Sequence, residues 1–234
     1  MDLSQWARRA ALLRQERGFR GLLSRAFSYM LEAQPIYRRA LLFERILSEP
    51  IPEISARPPV VFDLLEETGV GEYINFRPAA DAQKIRSRLK CGDRCFVASR
   101  EGQIVGAIWT STSYASLDYL GRRIPLAPDE AFTYDSFTLP HLRGQDIHTA
   151  LEVRILRYFR DAGVLRMVSY ILQNNKASIR AQQKCGYRPV AVMGYVGLGP
   201  WRRDFLIPDQ TTKCQRLSAQ DYRSFPRASR YACN

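Results

Sequence analysis

No stretch of the 234 residues approaches the roughly 18 uncharged apolar residues that a membrane-spanning helix needs. No continuous apolar run follows the arginines of Met1 to Ala10, so no secretory signal is expected. Histidine is scarce, with two residues, and the five cysteines are an odd number. Cys91 and Cys95 lie near each other, whereas Cys185, Cys214 and Cys233 are scattered with few histidines nearby. This predicts reduced thiols rather than a disulfide framework or a zinc site. A membrane channel, a collagen and a disulfide-knotted miniprotein are thereby excluded. What remains is ordinary globular usage, 46% hydrophobic and 25% charged, in a chain long enough to bury a core without staples.

Charge is the first informative feature. Lys+Arg exceed Asp+Glu by 35 − 23, or +12, and the lysines are only Lys84, Lys90, Lys176, Lys184 and Lys213. A field of this sign attracts nucleic acid, anionic lipid or a phosphate-rich small ligand such as coenzyme A, or it reflects arginine-rich composition alone.

The chain divides into three parts. Residues 1–58 are predicted to be a helical extension: Trp6, Leu13, Phe19, Leu23, Phe27 and Met30 recur near helical spacing, with arginines between them. Pro35 ends that pattern, a second helix is predicted from Ile36 to Leu47, and Pro50, Pro52, Pro58 and Pro59 mark a linker. Residues 59–200 alternate strands and helices. Strands are predicted over Val60–Leu64, Cys95–Ser99, Gln103–Ser111, Ala131–Leu139, Arg166–Leu172 and Tyr187–Leu198, with a ribbon over Tyr114–Pro125. Helices are predicted over Ala80–Leu89, Gly144–Ala162 and Lys176–Lys184. Residues 201–234 form a polar, basic tail expected to be poorly ordered unless it docks.

Two segments carry the chemistry. Phe137-Thr138-Leu139-Pro140-His141-Leu142-Arg143-Gly144-Gln145-Asp146-Ile147-His148-Thr149 reads as a strand, a tight turn and the start of a long helix. Helix N-termini present unpaired N–H groups and a positive dipole, a recipe for holding phosphate. The second segment, Asn174-Asn175-Lys176-Ala177-Ser178 through Cys185-Gly186-Tyr187, follows another strand, and Asn175 suits either an N-cap or an amide contact with a ligand backbone.

This ordered pair resembles the GNAT superfamily of acyl-CoA-dependent N-acetyltransferases. The family's first motif is a strand, V-x-P-x-x-R-G-x-G-x-G/A and a helix; Thr138, Pro140, Arg143 and Gly144 match it. Its second is a strand, N-x-x-A/S and, after seven intervening residues, G-F/Y; Asn175, Ser178, Gly186 and Tyr187 match that. The hairpin Cys95 to Gly106 is similar to the family's second and third strands, and the resemblance spans about Val60 to Gly199. Among family members, those associated with envelope-polysaccharide genes look most similar. The resemblance implies an α/β fold with a central mixed, mostly antiparallel twisted sheet, helices on both faces and a helical N-terminal extension. It implies acetyl-CoA as co-substrate and no metal. Phe137, Thr138 and Leu139 would pair with the pantetheine arm, the amides of Gln145, Asp146, Ile147, His148 and Thr149 would cradle the pyrophosphate beside Arg143 and Gly144, and Asn175 and Ser178 would line the other side.

The sequence departs from the family at three positions. Two motif glycines are replaced by Asp146 and His148. Asp146 either opposes a bound phosphate or is a harmless first-turn acid, and His148 either reaches the ligand or faces solvent. The family's tyrosine acid falls on Gln182, which leaves that role unassigned. Candidate bases lie on the strand before the first motif: Glu130 and Tyr134 on one face, Asp135 on the other. Asp135 is unusual among the aromatics around it.

The expected activity is acetyl transfer from acetyl-CoA to a primary amine of a small molecule, an amino sugar or amino-acid derivative. The competing reading is an eroded member that binds nucleic acid, a membrane surface or a protein. No nucleic-acid signature is present, which weighs against nucleic acid. A cytoplasmic location is expected, with peripheral membrane contact through the N-terminal basic helix and a homodimer as open additions.

Overall fold

The computed structural model describes residues 36–198 and 201–209. The described residues form two units: 39–193 with 205–209, and 36–38 with 194–198 and 201–204. In the smaller unit Arg202 lies 3.7 Å over the Tyr195 ring and donates to Asp204.

The strands are β1 (Ile36–Ile46), β2 (Val61–Leu64), β3 (Arg94–Arg100), β4 (Gln103–Ser111), β5 (Tyr114–Leu117), β6 (Arg122–Pro125), β7 (Glu130–Thr138), β8 (Arg166–Leu172), β9 (Arg188–Leu198) and β10 (Trp201–Pro208). The α-helices are α1 (Val70–Phe76), α2 (Ala82–Lys90), α3 (Ile147–Asp161) and α4 (Lys176–Lys184). In the larger unit the sheet runs β1-β8-β7-β4-β3-β2, and β5 and β6 form a separate hairpin. Strands β2, β3, β4 and β7 are antiparallel neighbours, β7 and β8 are parallel, and β8 and β1 are antiparallel. The mixed, mostly antiparallel sheet is as the sequence implies.

Side-chain alternation divides the core between the two faces. Cys95 and Val97 of β3 point toward α1 and α2, while Phe96 and Ala98 point toward α3. Glu101 and Gly102, both with positive φ, make the tight β3–β4 turn. A register shift at Ala98/Ser99 leaves Val105 as an extra residue on β4, so that Val105 and Gly106 both address α3. A Cβ on Gly106 would lie 3.1 Å from Ile147 Cγ2, in the first turn of α3. Gly106→Val is therefore expected to displace that turn and lower stability by about 1–3 kcal/mol, measured by urea unfolding.

Three expectations are corrected. Ile36–Leu47 is not a helix: Ile36–Ile46 is strand β1, with Ala40–Ile46 paired against Leu172–Arg166. Its arginines, leucines and glutamate imitate helical spacing, but Leu42, Phe43, Glu44 and Arg45 are buried in succession, as a strand covered on both faces requires. Glu44 faces Arg166 and Arg188, and the Arg45 guanidinium donates to Glu49 and to the Pro50 carbonyl. Trp201–Pro208 is a strand rather than a loose tail. Cys91 is disulfide-bonded rather than reduced; Cys95 and Cys185 are free and buried. Residues 1–35, which carry the predicted basic helix and the membrane contact, and 210–234 lie outside the described residues. No helix among the described residues is long and apolar enough to cross a membrane.

Candidate active site

The site is built where two parallel strands part. β7 and β8 pair only from Glu130–Thr133 against Arg166–Ser169. Beyond Thr133, β7 stays with β4 but slips register between Ala107 and Trp109, and Asp135 takes a left-handed φ of 47° at the slip. The connection from β7 through α3 to β8 is the crossover that parallel pairing demands. It puts the N-terminus of α3 at the mouth of the wedge.

A cleft of about 600 Å³ occupies this mouth. The first α-helical bond of α3 runs from the Ala150 N–H to the Asp146 carbonyl. The amides of Ile147, His148 and Thr149 therefore precede the hydrogen-bonded ladder and are left to an outside acceptor. At Gly144, with φ 79°, a Cβ would meet no atom within 4 Å among the described residues beyond its chain neighbours, so the turn leaves space for a ligand. Arg143, Arg180 and Lys184 supply positive charge along the lining. Together these fit a pyrophosphate.

Of the residues singled out for coenzyme contact, Phe137, Thr138, Arg143, Gly144, Asp146, Ile147, His148, Thr149, Asn175 and Ser178 line the cleft. Leu139 and Gln145 do not. The Leu139 N–H donates to Val105, and the Gln145 carbonyl accepts from Arg57. Asn175 acts as N-cap, accepting from the Ser178 N–H at 3.2 Å, and Arg143 donates to the Thr138 carbonyl. Sequence reasoning missed Ser136, Arg180 and Lys184, which also line the cleft. The position of Lys184 at the end of the second motif's helix was the available signal.

Asp146 sits in the left-handed region at φ 59°, which explains how it occupies a glycine position: a short polar side chain tolerates that conformation. Lys184 donates to its carboxylate at 2.6 Å, and the Thr149 hydroxyl donates to it as well. The Lys184 hydrogen bond, aided by Thr149, holds the carboxyl below its ordinary value. The acid is thus present in the cradle, but charge-compensated.

Below the cleft, an inner chamber of about 160 Å³ reaches between β7 and β8. Ser136, His148, Asn175 and Ser178 line both spaces. His148 retains some exposure but is densely surrounded, and burial pushes its imidazole down to about 4. Glu152, one turn along α3, is completely buried, and burial pushes it up to about 7 although the Tyr187 hydroxyl donates to it at 2.6 Å.

The three candidate bases have distinct surroundings. Glu130 lies at the start of β7, buried, ion-paired to Arg166 at 2.6 Å and accepting from the Ala127 N–H; it lines neither space. The Tyr134 hydroxyl donates to Asp93 at 2.6 Å, and its ring stacks on Phe132. Asp135 receives Arg77 and Arg88, each at 2.6 Å, and Arg88 also lies over the Trp109 and Tyr134 rings. Burial alone would raise the Asp135 carboxyl, but hydrogen bonds and charge from Arg88 and Arg77 hold it below its ordinary value. Tyr134 and Asp135 border the inner chamber; Glu130 is remote from it.

Comparison with known proteins agrees with this geometry. The profile of the Acetyltransferase (GNAT) family matches residues 61–187. Among solved structures, an acetyltransferase of the GNAT family from Colwellia psychrerythraea is similar at 14% identity and TM-score 0.52 over 72% of this chain and 58% of that one. A GCN5-related N-acetyltransferase from Sphaerobacter thermophilus is similar at 13% identity and TM-score 0.51 over 76% of this chain and 56% of that one. The glucosamine N-acetyltransferase region of a fungal multi-domain β-N-acetylglucosaminidase is similar at 13% identity and TM-score 0.50, over 76% of this chain and 23% of that one. This chain therefore spans little more than half the length of the first two. No curated protein sequence matches it. With more than half of its residues matched by the profile, the chain belongs to the acetyltransferase (GNAT) family, whose enzymes draw their acyl group from acetyl-CoA.

Proposed function

We propose that the protein transfers an acetyl group from acetyl-CoA directly to the primary amine of a small molecule, an amino sugar or amino-acid derivative. The observation that carries this reading is the parting of β7 from β8 over a cleft floored by the free amides of α3. The amides of Ile147, His148 and Thr149 hold the pyrophosphate, with Arg143 and Lys184 adding positive charge. Phe137 and Thr138 receive the pantetheine arm along the edge of β7 that β8 has left, and Asn175 and Ser178 border its other side. The thioester then lies at the junction with the inner chamber, where a small amine attacks from the wedge. Holding both reactants there replaces a bimolecular encounter by an oriented one. Tyr134 and Asp135 shape that end of the wedge. The likeness to a glucosamine N-acetyltransferase region supports glucosamine as the first amine to try.

The test is a calorimetric titration with acetyl-CoA, followed by thiol release with glucosamine and a panel of amino-acid esters. Micromolar binding and amine-dependent thiol release are expected. Absence of both would overturn the reading and turn attention to the basic surface.

A further inference from the structure

The inner chamber carries groups that the cradle does not explain. His148 and Glu152 stand four residues apart on one face of α3, and Gln182 of α4 lines the same chamber. Glu152 is 0% exposed and Gln182 5%. The Tyr187 hydroxyl takes up Glu152 Oε1, but Glu152 Oε2, Gln182 Oε1 and His148 Nδ1 have no hydrogen-bond partner among the described residues. Leaving a buried polar atom unmatched is costly, so several around one small space are an unfavourable arrangement for a purely structural core. A chamber of this size and polarity suits a short chain of ordered water.

We propose that Glu152 accepts the proton released by the acceptor amine, reached from the cleft through His148 and water held in the inner chamber. This rests on the acetyl transfer proposed above. His148 is the shared wall: it lines the cleft where the thioester lies and the chamber that leads to Glu152. Burial keeps its imidazole neutral at physiological pH, so one ring nitrogen accepts while the other donates. Burial also brings Glu152 to about 7, where a carboxylate both takes and releases a proton readily. The titratable groups around the chamber are His148 on α3, Tyr134 and Asp135 on β7 and Tyr170 on β8; Asp135 is held by Arg77 and Arg88. Tyr187 and Cys185 approach Glu152 from the other side, and both stay protonated because burial raises them.

The proton count closes. The acceptor arrives as an ammonium and gives one proton through water and His148 to the Glu152 carboxylate. The freed lone pair attacks the thioester carbonyl, the C–N bond forms and the C–S bond breaks. The second surplus proton on nitrogen goes to the departing thiolate. Glu152 then returns its proton to bulk water, leaving amide, thiol and one proton.

The experiment compares the full chain with Glu152→Gln, which keeps an oxygen for Tyr187 but cannot take a proton. Thiol release from acetyl-CoA, with the amine that responds in the panel above, is followed from about pH 5.5 to 9. Wild-type kcat is expected to rise through a midpoint near 7. In Glu152→Gln kcat falls about 100-fold, the midpoint disappears and KM for acetyl-CoA stays within about twofold. Urea stability gives a readout independent of the amine. A carboxyl raised in the fold from its ordinary 4.5 to about 7 favours the folded state below pH 4.5, and that benefit is lost as pH rises through 7. Wild type should therefore lose stability across this window, and Glu152→Gln should not.

Unchanged kcat and midpoint in Glu152→Gln, or superimposable stability curves, would overturn the proposal. If Glu152→Gln does not fold, His148→Gln serves instead. It should lower kcat about tenfold and keep the stability transition, and wild-type kcat in that variant would also overturn the proposal. Absence of acetyl-CoA binding and of thiol release in the wild type would instead remove acetyl transfer itself, and this inference with it.

Discussion

Asp135→Ala is expected to lower folding stability by about 2–4 kcal/mol at pH 7, measured by urea unfolding. The carboxylate sits between Arg77 and Arg88, and Arg88 is 5% exposed on its side chain. Guanidiniums do not shed their charge, so removing the shared acid takes a 2.6 Å counterion from a buried cation. The stacking of Arg88 against Trp109 and Tyr134 keeps it from swinging to solvent without opening the α2 face of the core. Asp135→Asn separates charge from backbone, because asparagine also tolerates the left-handed φ of this bulge. It should retain the wedge geometry and lose most of the same stability. The effect has a defined pH dependence. The folded carboxyl lies below its unfolded value, so its contribution is complete above about pH 4 and is lost as pH falls through the lower folded value. The gap between wild type and Asp135→Asn should narrow in strong acid. A gap of equal size at neutral and acid pH would show that strain at the bulge, not charge, sets the cost.

That ion-paired bulge also shows how far a sequence carries. An aspartate within Phe132-Thr133-Tyr134 and Ser136-Phe137 is visibly out of place, and it is indeed where β7 slips against β4. Its partners, 58 and 47 positions away, are not written in any local pattern. The strands and helices of the matched region follow from alternation, turn glycines and caps, which are local. β1 does not, because Arg38, Arg39, Ala40, Leu41, Leu42 and Glu44 are good helix formers that become a strand only through pairing with β8. α1 was missed for the converse reason. Val70, Gly71 and Ile74 are poor helix formers, and the helix is held by Tyr73 and Phe76 against the Trp109 layer, with the Trp109 indole donating to the Tyr73 hydroxyl. Most of the cleft's lining was legible because it is one continuous turn. Glu152 was not, although a signal existed: it shares a helical stripe with Ile155 and Phe159, a core-facing position where an acid is rarely buried without a partner or a purpose.

Lys184→Ala is expected to weaken acetyl-CoA binding by at least about tenfold, or 1.4 kcal/mol. Two effects combine. A cation leaves the lining of the cleft, and Asp146, now without its 2.6 Å counterion, presents an uncompensated carboxylate to an anionic ligand. Asp146→Gly should act in the opposite sense and bind several-fold more tightly than wild type, since glycine relieves the left-handed backbone and frees Lys184 for the phosphates. The two changes share a partner, so they should not add. In the double variant the lysine has no carboxylate left to mask, and its loss should weaken binding only by the share that Lys184 itself contributes. Calorimetric titrations at low and high salt distinguish this from a steric effect, because the coupling between exposed charges shrinks as the Debye length falls from about 10 Å at 0.1 M toward 3 Å at 1 M. Strict additivity of the two substitutions at low salt would mean that the Asp146–Lys184 pair stands outside the phosphate field. The aspartate would then be a cap-region acid with no bearing on the coenzyme.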